Sequence, residues 1–157
     1  MEKSLTRETE MRPIKRVVVP VDFAYHTDAL VDYAAYLAGE FSALTHYIHV
    51  VEFYPGNSMT PLSYVQEYEA KLLADVRVRM AQLLEDNKER CKGCTGKVIV
   101  GDPVDSIIEY ATAQDADLII MGTHGSKGLE KILLGSVAER VLKAAHCPVL
   151  IMNPFKK

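Results

Sequence analysis

No apolar run in this 157-residue chain approaches the ~20 residues that a membrane-crossing helix needs, so no such helix is expected. The first thirteen residues, Met1 to Pro13, are charged and mixed and contain no apolar block, which argues against a secretory leader there. Charge of one sign is also missing. Eighteen Lys and Arg stand against 21 Asp and Glu, a net charge of −3, so no field gathers nucleic acid or an anionic membrane surface. A phosphate would have to be held locally, against a mildly repulsive whole. Cysteine is scarce and odd in number, three in all, in a chain long enough to bury about 68–70% of its unfolded surface in a core of its own. That combination predicts reduced thiols and a cytoplasmic setting.

Other absences remove whole classes of chemistry. Cys91-x-x-Cys94 has no second pair at comparable spacing to complete a tetrahedral zinc site, and His146-Cys147 is adjacent and awkward as a substitute. A redox pair would be expected at a helix start, whereas this one falls where a helix ends, so these read as ordinary loop cysteines. His26, His46 and His49 lie in unrelated contexts, and no metal cluster is proposed. No Ser-His-Asp or Cys-His arrangement is legible and no carboxylate pair stands out, which argues against efficient catalysis. No repeat, low-complexity segment or linker divides the chain. It reads as a flexible arm or a strap over the surface, residues 1–13, followed by one domain, residues 14–157.

What is present alternates. The β-branched run within Ile14 to Asp22 predicts a strand buried on both faces that ends at Pro20 to Asp22. Thr27 is placed to cap a helix whose apolar positions are Leu30, Tyr33, Ala34, Leu37 and Phe41. Thr45 to Val51 predicts a second strand, and the turn-rich stretch Phe53 to Pro61 reads as a solvated connector or as a lid over a ligand. From Leu62 towards Lys88, Val65, Tyr68, Leu72, Val76, Met80 and Leu83 keep one face of a long helix. Lys97 to Val100 is a third strand. Asp102-Pro103 then gives a helix start, with Asp102 as N-cap, Asp105 in the first turn, and Val104, Ile107, Ile108 and Ala111 as the buried stripe. Asp117 to Met121 is a fourth strand, a helix runs to about Ala145, and Val149 to Met152 closes the series.

Strands alternating with helices imply an α/β domain, a five-stranded parallel sheet with helices on both faces. Such sheets bind ligands beyond the carboxyl ends of their strands, where the strand order reverses. With the order 3-2-1-4-5, the first and fourth strands are neighbours there, and Asp22 and Gly122 end side by side.

Gly122 to Ser136 is the stretch that this placement singles out. Gly122 and Gly125 are three apart, nine residues follow, and Gly135-Ser136 comes next. Ser136-Val-Ala-Glu139 has the form of a capping box that would start a helix at Ser136. Clustered glycines facing a helix start make a two-sided cradle of N–H donors suited to phosphate. The alternative is that the glycines only turn the chain and that one helix runs from Leu129 to Ala145 with Gly135 inside it, at a cost of ~1 kcal/mol. The spacing is neither a Walker A loop nor a dinucleotide Gly-x-Gly-x-x-Gly. His124 and Lys127, inside the loop, read as contacts to phosphate or as solvated side chains, and Lys131 is a weaker candidate.

Pro20-Val-Asp22, His49-Val50, Gly101-Asp-Pro103 and Gly122 to Ile151 together resemble the universal stress protein family. The match to its ATP-binding branch, G-x2-G-x9-G-(S/T), falls on Gly122, Gly125, Gly135 and Ser136. The resemblance spans roughly residues 14–153. It implies a Rossmann-like fold of the adenine nucleotide alpha hydrolase kind, a homodimer paired through Val149 to Met152, and ATP held with little or no hydrolysis. Any Mg or Mn would come bound through the phosphates. The residues it implies are Pro20, Val21 and Asp22 near adenosine, and Val50 presenting backbone to adenine. Met121, Gly122, His124, Gly125, Gly135, Ser136, Val137 and Ala138 fall around ribose and phosphates. Relatives often carry serine after Asp-Phe; this chain has Ala24, one hydroxyl fewer beside the nucleotide. A carboxylate at Asp22 suits ribose hydroxyls or the adenine amine, and it equally suits capping of the strand-to-helix turn. Two alternatives stay open: a slow ATPase or adenylate-transferring enzyme, and a nucleotide-free interaction module.

Overall fold

In the computed structural model, which describes residues 12–53, 61–91, 93–123 and 134–153, the predicted alternation is present throughout. The strands are Arg16–Pro20 (β1), Leu44–Val51 (β2), Thr95–Val100 (β3), Leu118–Gly122 (β4) and Val149–Met152 (β5). They are joined in turn by the helices Thr27–Phe41 (α1), Leu62–Asn87 (α2), Pro103–Ala113 (α3) and Ser136–Ala144 (α4). All pairings are parallel, in the order β3-β2-β1-β4-β5. The first strand starts at Arg16, two residues after the apolar run begins, and ends at Pro20, within the expected end of Pro20 to Asp22, so Asp22 belongs to the turn that follows.

Two apolar layers sandwich the sheet, because side chains along a strand alternate between faces. Val17, Val19 and Tyr47 point to the layer formed with Leu30, Val31 and Ala34 of α1 and Met80 and Leu83 of α2. Val18, Ile48 and Ile119 point to the opposite layer, with Val104, Ile107 and Ala111 of α3 and Ala138 and Val141 of α4. Each fully buried Val or Ile contributes about 1.5–3 kcal/mol relative to exposure, so the three consecutive valines of β1 alone fix it as the central strand. Gly96 lets α2 lie close on β3, since a Cβ there would stand 2.6 Å from Met80 Cγ.

Helical periodicity overstated the buried face in places. Tyr33 and Phe41 of α1 are exposed, as is Tyr68 of α2. In α2 full burial begins only at Val76, while Val65 and Leu72 are half-buried. At about 1.5 Å per residue, this 26-residue helix is roughly twice as long as β3, the strand it packs on, so its first half has no sheet beneath it. None of the described helices is long and apolar enough to cross a membrane.

Candidate functional site

The reversal of strand order lies between β1 and β4. Their register pairs Val18 with Ile119, and three residues beyond that pair on either strand stand Val21 and Gly122. Both chains therefore leave the sheet at the same edge, the carboxyl edge, where parallel α/β sheets present their ligands.

The exit of β1 is held by several bonds. Val21 is buried, and its N–H donates to the Ile48 carbonyl of β2 at 2.8 Å. Its own carbonyl accepts from His49 Nδ1 at 2.7 Å. A carbonyl only accepts, so the proton sits on Nδ1 and the neutral ring keeps its lone pair on Nε2. Phe23 follows at φ +55°, the left-handed region that a bulky residue enters at a cost of about 1–2 kcal/mol. Its ring lies 4.9 Å from that of His49, centroid to centroid. Between them Asp22 is exposed, and its Oδ1 accepts from Ala24 N–H at 3.0 Å and from Thr27 Oγ1 at 3.2 Å.

Asp22 thus closes the turn with one oxygen, as the capping alternative requires, and Oδ2 has no partner among the described residues. The expectation for Thr27 is corrected. It is the first residue of α1, the N-cap position is His26 with no side-chain cap, and the Thr27 hydroxyl serves Asp22 instead. Val50 is half-buried near the end of β2, in register with Ile99. A depression of about 330 Å³, lined by Glu52, Phe53, Val100, Gly101 and Asp102, opens at the same edge.

On the β4 side Met121 is buried and Gly122 is the last strand residue, paired with Met152. Thr123 then ties three elements together. Its N–H donates to Met152 O of β5 at 2.8 Å, and its carbonyl accepts from Gly135 N–H at 2.7 Å. The two ends of the glycine-rich stretch are thereby brought face to face. His124, Gly125, Lys127 and Lys131 lie outside the described residues, as does most of the Phe53 to Pro61 connector.

The continuous helix through Gly135 is not formed. Gly135 is extended at φ −60°, ψ 149°, and α4 begins at Ser136. The capping box is not formed either. Gly135 occupies the N-cap position, no side chain caps the helix, and Glu139 pairs with Lys143 at 2.6 Å. Ser136, Val137 and Ala138 are the first three helical residues, whose N–H groups have no acceptor within the helix, and none among the described residues supplies one. Ser136 is exposed, Val137 half-buried and Ala138 buried. Such a start carries positive polarisation and free donors, the chemistry that holds phosphate. Beside it, Asp102 caps α3 as expected, accepting from Val104 and Asp105 N–H at 2.9 and 3.0 Å, and Arg140 of α4 reaches it at 3.9 Å.

The cysteines lie elsewhere. Cys91 is buried, Cys94 and Cys147 are half-buried, and all three are free. Burial, with a hydrogen bond to Cys91, pushes the Cys94 thiol up to about 11, which keeps it protonated and a poor nucleophile.

A parallel sheet reversing at β1/β4, with a carboxylate on one exit and an uncapped helix start on the other, defines a doubly wound α/β protein with a candidate site at the switch point. The family model described as "Universal stress protein family" matches residues 13–153. The chain is 37% identical over 147 residues to Universal stress protein MJ0531 of Methanocaldococcus jannaschii, covering 91% of this chain and 84% of that one. Its fold matches the solved structure of MJ0577 from the same organism at a TM-score of 0.79 and 25% identity, covering 93% of this chain and 100% of that one. A universal stress protein solved in complex with cAMP matches at a TM-score of 0.67 and 24% identity, covering 91% of this chain and 99% of that one. The chain belongs to the universal stress protein family.

Pro20, Val21, Asp22, Gly122, Gly135 and Ser136, singled out on sequence, belong to segments that the fold brings to one edge of the sheet. His49 and Phe23, which touch the same turn, are not among those residues. The only available signal was the position of His49 beside Val50 near the carboxyl end of its strand; nothing in the sequence marks Phe23 as left-handed.

Proposed function

We propose that this protein is an ATP-binding regulatory module of the cytoplasm, with little or no hydrolysis. The observation that carries the reading is the uncapped start of α4 standing against the β4 exit, with Asp22 across the strand reversal. The Ser136, Val137 and Ala138 amides suit the phosphates and the Asp22 carboxylate suits the ribose hydroxyls or the adenine amine. Val50 offers backbone to the base. The family-level neighbour solved with cAMP supports an adenine nucleotide as the ligand class. When bound, ATP would supply a triphosphate whose charge the helix start and the glycine turn offset, with any Mg or Mn carried by the phosphates. The protein's own part is to orient the nucleoside and present backbone donors.

Nothing in the described residues provides an oriented nucleophile, so binding rather than turnover is the function proposed. A ligand that binds only the folded state raises its stability by RT ln(1 + [L]/Kd), so millimolar ATP should raise the melting temperature of the purified chain. Gly122→Val and Gly135→Val should each abolish that shift. No shift with the unmutated chain, and no nucleotide released on its denaturation, would refute the reading. We also propose a homodimer through β5, an edge strand hydrogen-bonded on one side to β4 only, with all four residues half-buried. Light scattering that returns the mass of one 17.5 kDa chain at micromolar concentration would refute it.

A further inference from the structure

His49 belongs to no part of the proposed site as the sequence defines it, yet it touches both flanks of Asp22. Its Nδ1–H bonds the Val21 carbonyl at 2.7 Å on one side, and its ring packs against Phe23 at 4.9 Å on the other. Asp22 lies between those two contacts, and Phe23 holds a left-handed φ of +55° that the backbone alone disfavours. The hydrogen bond from Val21 N–H to Ile48 O anchors the same turn to the strand that carries His49. Three contacts therefore converge from β2 on one strained turn. Strain of this kind persists only where surrounding contacts over-determine it, and such turns serve to preorganise a ligand group.

We propose that His49 is a positioning residue, whose bond to Val21 and ring contact with Phe23 hold the turn that presents Asp22 to the adenosine part of a nucleotide. This rests on the nucleotide reading above. The role is exerted through Val21 and Phe23, with no contact to ligand required. It concerns the nucleoside end, because the phosphate donors belong to α4 on the other side of the strand reversal.

The test uses calorimetric titration of the full chain with ATP and with inorganic tripolyphosphate, which carries the phosphates without the nucleoside. His49→Phe retains an aromatic ring against Phe23 and removes the donor; His49→Asn restores an N–H near the position of Nδ1. The Phe variant should bind ATP about tenfold more weakly, the equivalent of one lost hydrogen bond, with tripolyphosphate affinity unchanged. The Asn variant should recover most of the ATP affinity. Equal ATP binding by the Phe variant and the unmutated chain would overturn the proposal, as would a matched loss for both ligands, which is the mark of a merely structural role. Absence of ATP binding by the unmutated chain would instead refute the nucleotide reading itself. Should the Phe variant fail to fold, long-range 15N NMR of the unmutated chain decides: the Nδ1-protonated tautomer is expected with and without ATP, and the Nε2 tautomer overturns the assignment.

Discussion

Replacing Asp22 separates its structural work from its proposed work in binding. Both of its hydrogen bonds fall on Oδ1, from Ala24 N–H at 3.0 Å and Thr27 Oγ1 at 3.2 Å. An intramolecular hydrogen bond has a net worth of about 0.5–1.5 kcal/mol, so Asp22→Ala, which removes two of them from a turn that is already strained at Phe23, should cost about 1–3 kcal/mol. Asp22→Asn keeps an oxygen in the Oδ1 position and both donors satisfied, and should cost less than about 1 kcal/mol. Binding should follow a different order. The carboxylate is what a ribose hydroxyl or the adenine amine would meet at Oδ2, and hydrogen bonds to a charged group are worth about 1.5–3 kcal/mol, or roughly 10- to 100-fold in affinity. An amide nitrogen in that place cannot accept from the adenine amine, and to a ribose hydroxyl it offers only an uncharged donor in place of a charged acceptor. Both variants should therefore lose ATP affinity to a similar degree while differing in stability. Urea denaturation with comparison of midpoints at constant m, and calorimetric titration with ATP, read the two quantities separately. An Asn variant as unstable as the Ala variant would show that charge, not geometry, holds the turn. An Asn variant with unchanged ATP affinity would show that the carboxylate serves the turn alone.

Acid should destabilise the fold through two histidines of β2. Burial first, with Arg16 adding to it, holds the His46 ring below the usual histidine range, and burial first, aided by Arg79, does the same for His49 against the opposing pull of the Val21 carbonyl and Asp22. Because the unfolded chain takes up these protons at higher pH than the folded one, their contribution is complete above about pH 6.5 and is lost as pH falls from there through the lowered folded values. The urea midpoint should drop between pH 7.5 and pH 5, and His46→Gln together with His49→Asn should flatten that drop; an unaltered slope in the double variant would refute the assignment. Ile119→Ala, at a position with no exposed surface in the layer beneath α3 and α4, should cost about 2–5 kcal/mol in denaturant unfolding, and a loss below ~1 kcal/mol would mean that the layer collapses to fill the space.

The sheet order was legible because each strand is a short β-branched run and each connection holds a helix, which leaves few ways to wind a parallel sheet. The Asp102-Pro103 start was legible for a similar reason, since its cap is satisfied within three residues. Features that depend on distant partners were not. Ser136 and Glu139 have the spacing of a capping box, but Gly135 is pulled into the N-cap position by Thr123, twelve residues earlier in the chain. Thr27 has the chemistry of a cap and spends it on Asp22. Tyr68 sits in phase with Leu72 and Val76, yet periodicity carries no information on where the sheet beneath a helix stops. His49 is adjacent to a residue that the sequence did select, and its bond to Val21 crosses between strands, where no local pattern could announce it.

The peptide on the amino side of Thr123 donates to β5, and the one on its carboxyl side accepts from the residue that opens α4. A single residue is thus shared by the helix end that would grip a phosphate and by the strand along which a second copy would lie. Occupancy of either place acts on a common joint. Whatever free energy passes through that joint is the same in both directions, so a nucleotide that tightens association of two copies would itself be held more tightly by the pair than by one chain alone.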